Sequence, residues 1–338
     1  MPENRTEGAP VAAPRLLDRL RNAIRARHYS PRTAEAYVFW TRKFVVFHGK
    51  RHPDTMGAAE VKAFLTYLAI SRKVAASTQN QALGALLFLY RHVLGRDLSS
   101  MDDLIRAKKP IRLPVVLSPS EIARILQHLH GLPFLAAMLM YGSGLRLMEC
   151  LQLRVQDIDF DRGQIIVRQG KGGKDRQTLL PSGAVGLLRE HLARLRQRHE
   201  PELRAGAGAV SLPDGVTRTS PGAATEWGWQ WFFPSARLHA GPTGARRREH
   251  LHKTAIQRAF SLAVSRSGVT KPATCHSLRH SFATHLVEAS YDIRTIQELM
   301  GHKDVSTTMI YTHVLNRGGR SVRSPLDAIS TSAPRSLP

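Results

Sequence analysis

The sequence contains no uncharged apolar run of about 18 residues, the length that a membrane-spanning helix needs. Its first residues are polar, rich in proline and contain arginine, so they also lack the apolar segment of a secretory signal. Hydrophobic residues still make up 42% of the 338 residues, which is enough for two globular domains with a core each. We therefore expect a cytoplasmic protein.

Cysteine is scarce, since Cys150 and Cys275 are the two in the chain. They lie far apart in sequence and do not form a pair with metal-ligand spacing. Two reduced, partly buried thiols are the expected state. The cysteines therefore predict no metal centre.

Acidic residues are few, with 26 Asp and Glu against 49 Lys and Arg and a net charge of +23. This excess is larger than solubility needs and indicates a polyanionic partner, most commonly nucleic acid. Binding should weaken steeply with salt, because each neutralised phosphate releases counterions. A basic protein without such a partner is the alternative.

The hydrophobic pattern divides the chain into two domains. Three apolar stripes at helical spacing, over 37–47, 61–68 and 83–94, predict a helical first domain. A basic, proline-containing segment then predicts an interdomain linker. The predicted segments are a disordered N-terminus (1–14), a helical first domain (15–100), the linker (101–116), a second domain (117–316) with an irregular insertion (203–250), and a tail (317–338).

The second domain is predicted to be helical with one small sheet. It opens on Ser118, Pro119 and Glu121, which have the spacing of an N-terminal capping box. A change of period after about residue 153 predicts three antiparallel strands, over 157–160, 164–168 and 177–180. Further helices are predicted over 184–198, 252–267, 277–289, 292–300 and 306–315. The predicted fold class is mainly α (α+β).

Six side chains in separate motifs form the candidate catalytic set. They are, in chain order, Arg146, Lys171, His276, Arg279, His302 and Tyr311. Together they supply two guanidiniums, an ammonium, two imidazoles and a phenol. That set suits a phosphodiester, which needs cations for its charge, a proton donor, a proton acceptor and a nucleophile.

Structural explanations exist for the same residues. Glu149, three residues after Arg146, could form a salt bridge with it. His276 and His280 have the spacing of a zinc pair, but the metalloprotease form needs Glu where Ser277 stands. The remaining alternatives are a solvated turn lysine at Lys171, a turn residue at His302 and a core tyrosine at Tyr311.

The ordered motifs resemble those of the tyrosine recombinases. They are GSGLR, GKGGKDR, HSLRHSFATHL, and LMGH followed by VSTTMIYTH. Within that family the chain is most similar to the integron integrases. This closer resemblance rests on RHP at 51–53, RLPVVL at 112–117, SPLDA at 324–328, and the insertion before the His-x-x-Arg motif.

The resemblance implies a helical core-binding (SAM-like) domain followed by a tyrosine-recombinase catalytic domain with a small antiparallel sheet. It implies that Tyr311 forms a 3′-phosphotyrosine, with Lys171 as general acid and His276 as general base. Arg146 and Arg279 would hold the phosphate, and His302 would add a hydrogen bond. No metal or other cofactor is implied. The implied partners are a double-stranded attI site, a single-stranded attC hairpin and three further copies of the chain in a tetramer.

The candidate DNA contacts are Arg32, Lys43, Lys108, Lys109, Lys174, Trp229, Pro242, Arg247, Arg248 and His250. In the integron subfamily the insertion adds a helix that grips extrahelical attC bases. The aromatic stretch 229–235 resembles its base-stacking part, with an ordinary aromatic core as the alternative. Glu249 departs from the family pattern, which has His there. A carboxylate at this position would repel or redirect a bulged base or phosphate.

Other functions share parts of this pattern. Another type of tyrosine recombinase, phage-type or chromosome-dimer-type, or a type IB topoisomerase-like strand transferase would share the cleavage step. A DNA-binding protein with the same fold would not react at all. Covalent trapping on a nicked substrate separates the last class from the enzymes, and recovery of recombinant junctions separates recombination from topoisomerase-like cleavage.

Overall fold

The computed structural model describes residues 15–96, 98, 114–168, 175–240 and 246–301. The chain divides into two compact units between residues 112 and 113. The predicted N-terminal segment, most of the predicted linker, the tail and the predicted helix 306–315 lie outside the described residues.

The first unit is helical, as predicted. Its α-helices are α1 (Leu16–Arg25), α2 (Pro31–Phe47), α3 (Ala58–Ile70) and α4 (Ala76–His92). Helix α2 begins at Pro31 because the Ser30 hydroxyl accepts a hydrogen bond from the Thr33 amide at 3.1 Å. The three apolar stripes meet in one core, where Phe44 and Phe64 are buried, while Phe47 lies at its edge.

The second unit is also mostly helical. Its α-helices are α5 (Pro119–Gln127), α6 (Gly131–Gly142), α7 (Leu147–Leu151), α8 (Val185–Arg204), α9 (Asp214–Thr219), α10 (Lys253–Arg266), α11 (Cys275–Glu288) and α12 (Ile293–Met300). Its strands are β1 (Ile158–Asp159), β2 (Gln164–Val167), β3 (Arg176–Leu179), β4 (Ala209–Val210), β5 (Pro234–Ala240) and β6 (Arg246–His250). The predicted fold class is confirmed.

Helix α6 lies at the centre of this unit. Every residue from Phe134 to Gly142 is buried, and the helix packs against α10 and α11. The predicted capping box starts α5, since Glu121 accepts from the Ser118 amide at 2.7 Å and the Ser118 hydroxyl accepts in return at 3.2 Å. Strands β1, β2 and β3 form the predicted antiparallel sheet.

The insertion is more regular than predicted. Strand β6 pairs in parallel with β4 and antiparallel with β5, which makes a second three-stranded sheet. Arg154 joins this sheet to the rest of the unit by donating to the carbonyls of Trp229 (2.8 Å) and Ser211 (2.6 Å). Its guanidinium also stacks 3.1 Å from the ring centre of Trp231. Tertiary contacts therefore order a segment whose own sequence pattern is weak.

None of the helices in the part of the chain that the structure describes is long and apolar enough to cross a membrane.

Candidate active site

Arg146 is the N-cap residue of α7, and Glu149 holds it there. The Glu149 carboxylate accepts from the Arg146 amide at 2.9 Å and from its guanidinium at 2.6 Å. The salt bridge considered from the sequence is thus present. The Arg146 side chain keeps 25% of its surface exposed, so the same guanidinium is also accessible to a ligand.

Arg279 lies on α11 and is almost completely buried, with 2% of its surface exposed. Its guanidinium donates to the carbonyl of Gly144, just before Arg146, and to the carbonyl of Met300 at 2.5 Å. Gly144 has a φ of +63°, and a Cβ there would lie 2.5 Å from the Phe282 ring. The glycine therefore allows the turn that brings Arg146 and Arg279 together.

Glu149 is the centre of a charged cluster. Arg176 donates to both of its carboxylate oxygens, at 2.7 and 3.1 Å, and Arg279 lies 3.7 Å away. Burial alone would raise the pKa of Glu149. The hydrogen bonds and charges of Arg176, the Arg146 amide and Arg279 outweigh it and lower the pKa to about 2.

This cluster has an excess of positive charge, because the guanidiniums of Arg146, Arg176 and Arg279 surround the single carboxylate of Glu149. Donors fixed in this way before a reaction stabilise negative charge that develops on a phosphate oxygen. The arrangement therefore suits phosphoryl transfer.

Sequence reasoning missed Arg176. It lies in the GKGGKDR motif, from which only Lys171 and Lys174 were singled out, and the third strand was expected to begin one residue later. Its position in the motif could have marked it as a candidate. Its partners could not be foreseen, because Glu149 and Leu299 are distant in sequence.

His276 is exposed in the first turn of α11. Its ring lies nearly at a right angle to that of His280, with ring centroids 4.7 Å apart. Partial burial of the ring, then the charges of Arg279 and Arg146, lower the pKa of His276. His285 is not part of this pair of histidines, because its Nδ1 lies 2.9 Å from the Tyr141 hydroxyl. His276 is thus neutral at neutral pH, as a general base must be.

We expect the DNA cleavage rate to fall as the pH drops through the pKa of His276, which lies below its ordinary value of about 6.5. Burial, followed by the charges of His276 and Arg279, lowers the pKa of His280 to about 4, so His280 titrates outside this window. Single-turnover cleavage rates measured against pH test this expectation. An acid limb centred at or above 6.5 would contradict it, and His276→Asn should remove the limb from the residual activity.

Gly301 follows Met300 at the end of α12 and packs against the Arg176 side chain. It has a φ of +61°, and a Cβ there would lie 2.7 Å from the Arg176 Cδ. We expect Gly301→Ala to lower the free energy of unfolding by about 2–4 kcal/mol, from backbone strain and the clash together. Cleavage should fall by about tenfold, because the cation cluster must shift.

Gly163→Ala is the matched control for this substitution. Gly163 has a φ of +64° but no neighbour within 4 Å of the added Cβ. Gly163→Ala should lower the free energy of unfolding only by the backbone strain, about 1–2 kcal/mol, and should leave the cleavage rate unchanged. Equal effects of the two substitutions on unfolding and cleavage would show that the Arg176 contact is unimportant.

The candidate DNA contacts differ in exposure, and some lie outside the described residues. Arg32 and Lys43 are exposed on α2, and Arg247 and His250 are half-buried on β6. Trp229 is half-buried. Lys108, Lys109, Lys174 and Pro242 lie outside the described residues, as do the candidate catalytic residues Lys171, His302 and Tyr311.

The prediction for Arg248 is corrected by its contacts. Arg248 is 7% exposed and pairs with both oxygens of Glu202, at 2.6 and 3.2 Å. It also donates to the carbonyls of Ser235 and Ala236. The β6 pleat turns this side chain toward the interior, so Arg248 is a structural residue and not a DNA contact.

The aromatic stretch is also corrected in part. Trp231, Phe232 and Phe233 are buried, and the Trp231 indole donates to the Arg248 carbonyl at 3.1 Å. The alternative of an aromatic core applies to these residues, which cannot stack on a base. Trp227 and Trp229 keep part of their surface exposed.

Comparison with known proteins extends the assignment over both units. Residues 116–317 match the phage integrase family, and residues 16–100 match the phage integrase N-terminal SAM-like domain. An integrase/recombinase from Escherichia coli is 52% identical over 321 residues, which is 95% of this chain and 95% of the relative. The tyrosine recombinase XerC of Lactobacillus delbrueckii subsp. bulgaricus is 31% identical over 85% of this chain and 90% of its own.

A solved structure shares the fold. The lambda integrase dimer bound to a COC′ core site superposes with a TM-score of 0.59 at 20% sequence identity, covering 91% of this chain and 98% of that one. The guanidinium cluster, the two matched regions and these relatives all indicate the same family. The chain belongs to the phage integrase family and is a tyrosine site-specific recombinase.

Proposed function

We propose that this recombinase is an integron integrase. It joins attI to attC, and attC to attC, and so integrates and excises gene cassettes. It recognises attC as a folded single strand and works as a homo-tetramer on DNA in the bacterial nucleoid, in the cytoplasm. The inserted sheet between α8 and α10 carries this proposal, because the resemblance to integron integrases includes an insertion at this place.

The proposed chemistry is two transesterifications without a cofactor. The Tyr311 oxygen attacks the scissile phosphorus, the bond from phosphorus to the 5′ oxygen breaks, and Lys171 gives that oxygen a proton. His276 accepts the phenolic proton, while Arg146 and Arg279 hold the non-bridging oxygens and His302 adds a hydrogen bond. A 5′-hydroxyl of a second strand then attacks the phosphotyrosine and reverses each bond change.

The surface of the insertion supports contact with nucleic acid. Arg237 on the edge strand β5 and Arg246 at the start of the central strand β6 are exposed, and Trp229 offers part of a π-face. Trp227 is flanked by the guanidinium of Arg196, 5.1 Å from its ring centre. A partly exposed aromatic ring beside arginines is a combination that can stack on an unpaired base.

A recombination assay with two forms of one attC site tests the proposal. An attI plasmid is supplied with the attC bottom strand as a hairpin or with the same sequence as a linear duplex. The hairpin should give at least about tenfold more junctions, a difference of about 1.4 kcal/mol. Junctions from the duplex alone would refute the integron assignment while leaving the family assignment intact.

Glu249 gives a second, independent prediction. Its carboxylate accepts from the Ser211 hydroxyl at 2.8 and 2.9 Å, and alternation along β6 places it on the same face as Arg247. Glu249→Gln keeps an acceptor for Ser211 and removes the charge. Hairpin affinity should therefore rise by about two- to fivefold, from the loss of roughly 1 kcal/mol or less of repulsion.

Glu200→Gln is the control for net charge. Glu200 is exposed on α8 and pairs only weakly with Arg196, at 3.5 Å. Titration of labelled hairpin and duplex DNA at one salt concentration gives the affinities. If both substitutions change hairpin affinity equally, Glu249 has no local effect on the DNA.

A recombinase that acts on duplex sites alone is the second candidate. It is favoured by the burial of Trp231, Phe232 and Phe233, which leaves less aromatic surface for unpaired bases than the sequence indicated. The plasmid assay separates the two candidates directly.

A further inference from the structure

Arg176 takes no part in the proposed chemistry, yet its guanidinium makes three hydrogen bonds within the cation cluster. It is the first residue of β3, five residues after Lys171. Its side chain is 9% exposed, so its contacts are with the protein interior. A buried cation in this place needs fixed partners.

Those partners come from two separate segments of the chain. The terminal guanidinium nitrogens of Arg176 bond both oxygens of Glu149, at 2.7 and 3.1 Å. Its Nε donates to the carbonyl of Leu299, in the last turn of α12, at 2.9 Å. One side chain therefore links β3 to the carboxylate that holds Arg146 and to the helix end that precedes His302.

The geometry requires the shape of arginine as well as its charge. Three N–H directions in one plane serve two acceptors on different elements, Glu149 and Leu299. A lysine ammonium is a compact point charge, and it could neutralise Glu149 without keeping the bond to Leu299. Gly301 packs against the Arg176 stem, where no Cβ fits, so the guanidinium is confined from that side as well.

We propose that Arg176 is a positioning residue for DNA cleavage: through Glu149 it fixes the direction of the Arg146 guanidinium, and through Leu299 it fixes the end of α12 relative to it. The proposal rests on the assignment of Arg146 to the phosphate. Arg176 itself does not touch DNA. Its loss should reduce the rate of cleavage and not the affinity for the site.

Arg248 provides a matched control within the same chain. Its side chain is also 9% exposed, it is also bidentate on a glutamate, and it also donates to backbone carbonyls. It lies in the insertion, and its partner is Glu202. A purely structural role for Arg176 predicts that equal substitutions at 176 and 248 have equal consequences for cleavage of a duplex.

The experiment measures single-turnover cleavage of a nicked duplex suicide substrate at saturating DNA. Rates are normalised to the DNA-binding-competent protein, so a partly unfolded variant is still informative. We expect Arg176→Gln to slow cleavage by at least about 30-fold and Arg176→Lys by about tenfold, with dissociation constants within about threefold of the parent. Arg248→Gln and Arg248→Lys should cleave within about threefold of the parent.

A pH profile separates positioning from loss of structure. Glu149 faces the cations of Arg146, Arg176 and Arg279, and its negative charge also acts on His276. Removing the Arg176 charge raises the pKa of Glu149 from about 2, so Arg176→Gln should show an additional loss of cleavage at acid pH, besides the His276 limb, that the parent does not show. Arg248→Gln should show the His276 limb alone.

Three results would overturn the proposal. They are an Arg176→Gln rate within about threefold of the parent, full recovery in Arg176→Lys, and an Arg176→Gln pH profile that shows the His276 limb alone. Tyr311→Phe tests the proposed function separately from the role of Arg176. A covalent adduct in that variant would refute the proposed function, whatever the Arg176 variants show.

Discussion

Tyr311→Phe is expected to abolish the covalent protein–DNA adduct while the affinity for a core site stays within about threefold of the parent. The phenolic oxygen is the proposed nucleophile, and phenylalanine differs only by that atom. Loss of a nucleophile costs a rate factor on the order of 10⁴ or more. Denaturing gel electrophoresis of protein incubated with a nicked suicide substrate measures the adduct.

Tyr291→Phe is the control for this result. Tyr291 is a half-buried tyrosine that follows α11 in the same unit, and no role in cleavage is proposed for it. Its substitution should leave adduct formation unchanged. An adduct that survives in Tyr311→Phe would place the nucleophile on another residue.

Arg279→Lys is expected to lower the cleavage rate by about 10²–10³-fold, the usual cost of removing one preorganised donor from a transition state. Arg279 is buried and spans the carbonyls of Gly144 and Met300. A lysine keeps the charge but loses the planar fork, so it cannot keep both bonds and also serve a phosphate oxygen. Single-turnover cleavage at saturating DNA gives the rate.

Arg248→Lys again supplies the comparison, since it removes a buried guanidinium fork away from the cluster. It should affect thermal stability more than cleavage. A parental cleavage rate in Arg279→Lys would show that the fork of Arg279 does not hold the phosphate.

The sequence predicted the parts of the fold that depend on local pattern. Helix α2 begins at Pro31 because Ser30 caps it, and α5 begins with the capping box of Ser118 and Glu121, so both starts could be found from neighbouring residues. The apolar stripes of the first unit were equally visible, because helical spacing alone places them on one face.

The second sheet could not be predicted in the same way. Strand β6 consists of arginines, a glutamate and a histidine, residues with weak strand preference, and β4 has two residues. Backbone pairing holds its strands together, and Arg154 anchors the neighbouring segments by bonding the carbonyls of Trp229 and Ser211 and stacking on Trp231. Such contacts join residues far apart in sequence, and no periodicity indicates them.

The site was predictable as a list of chemical groups but not as an arrangement. Arg146, His276 and Arg279 could be selected from their motifs. The sequence could not show that the Glu149 carboxylate brings Arg146, Arg176 and Arg279 together. Arg176 lies 27 residues from Glu149, and this pairing depends on the tertiary fold. The catalytic roles of all six residues remain predictions, and Lys171, His302 and Tyr311 lie outside the described residues.

The most direct test of the account identifies the atom that joins protein to DNA. The adduct formed on a nicked suicide substrate is digested with nuclease and protease, and the modified peptide is sequenced by mass spectrometry. The account predicts a single modified residue, Tyr311, that carries a phosphate linked to the 3′ end of the cleaved strand. Attachment at another residue, or through a 5′ phosphate, would contradict it.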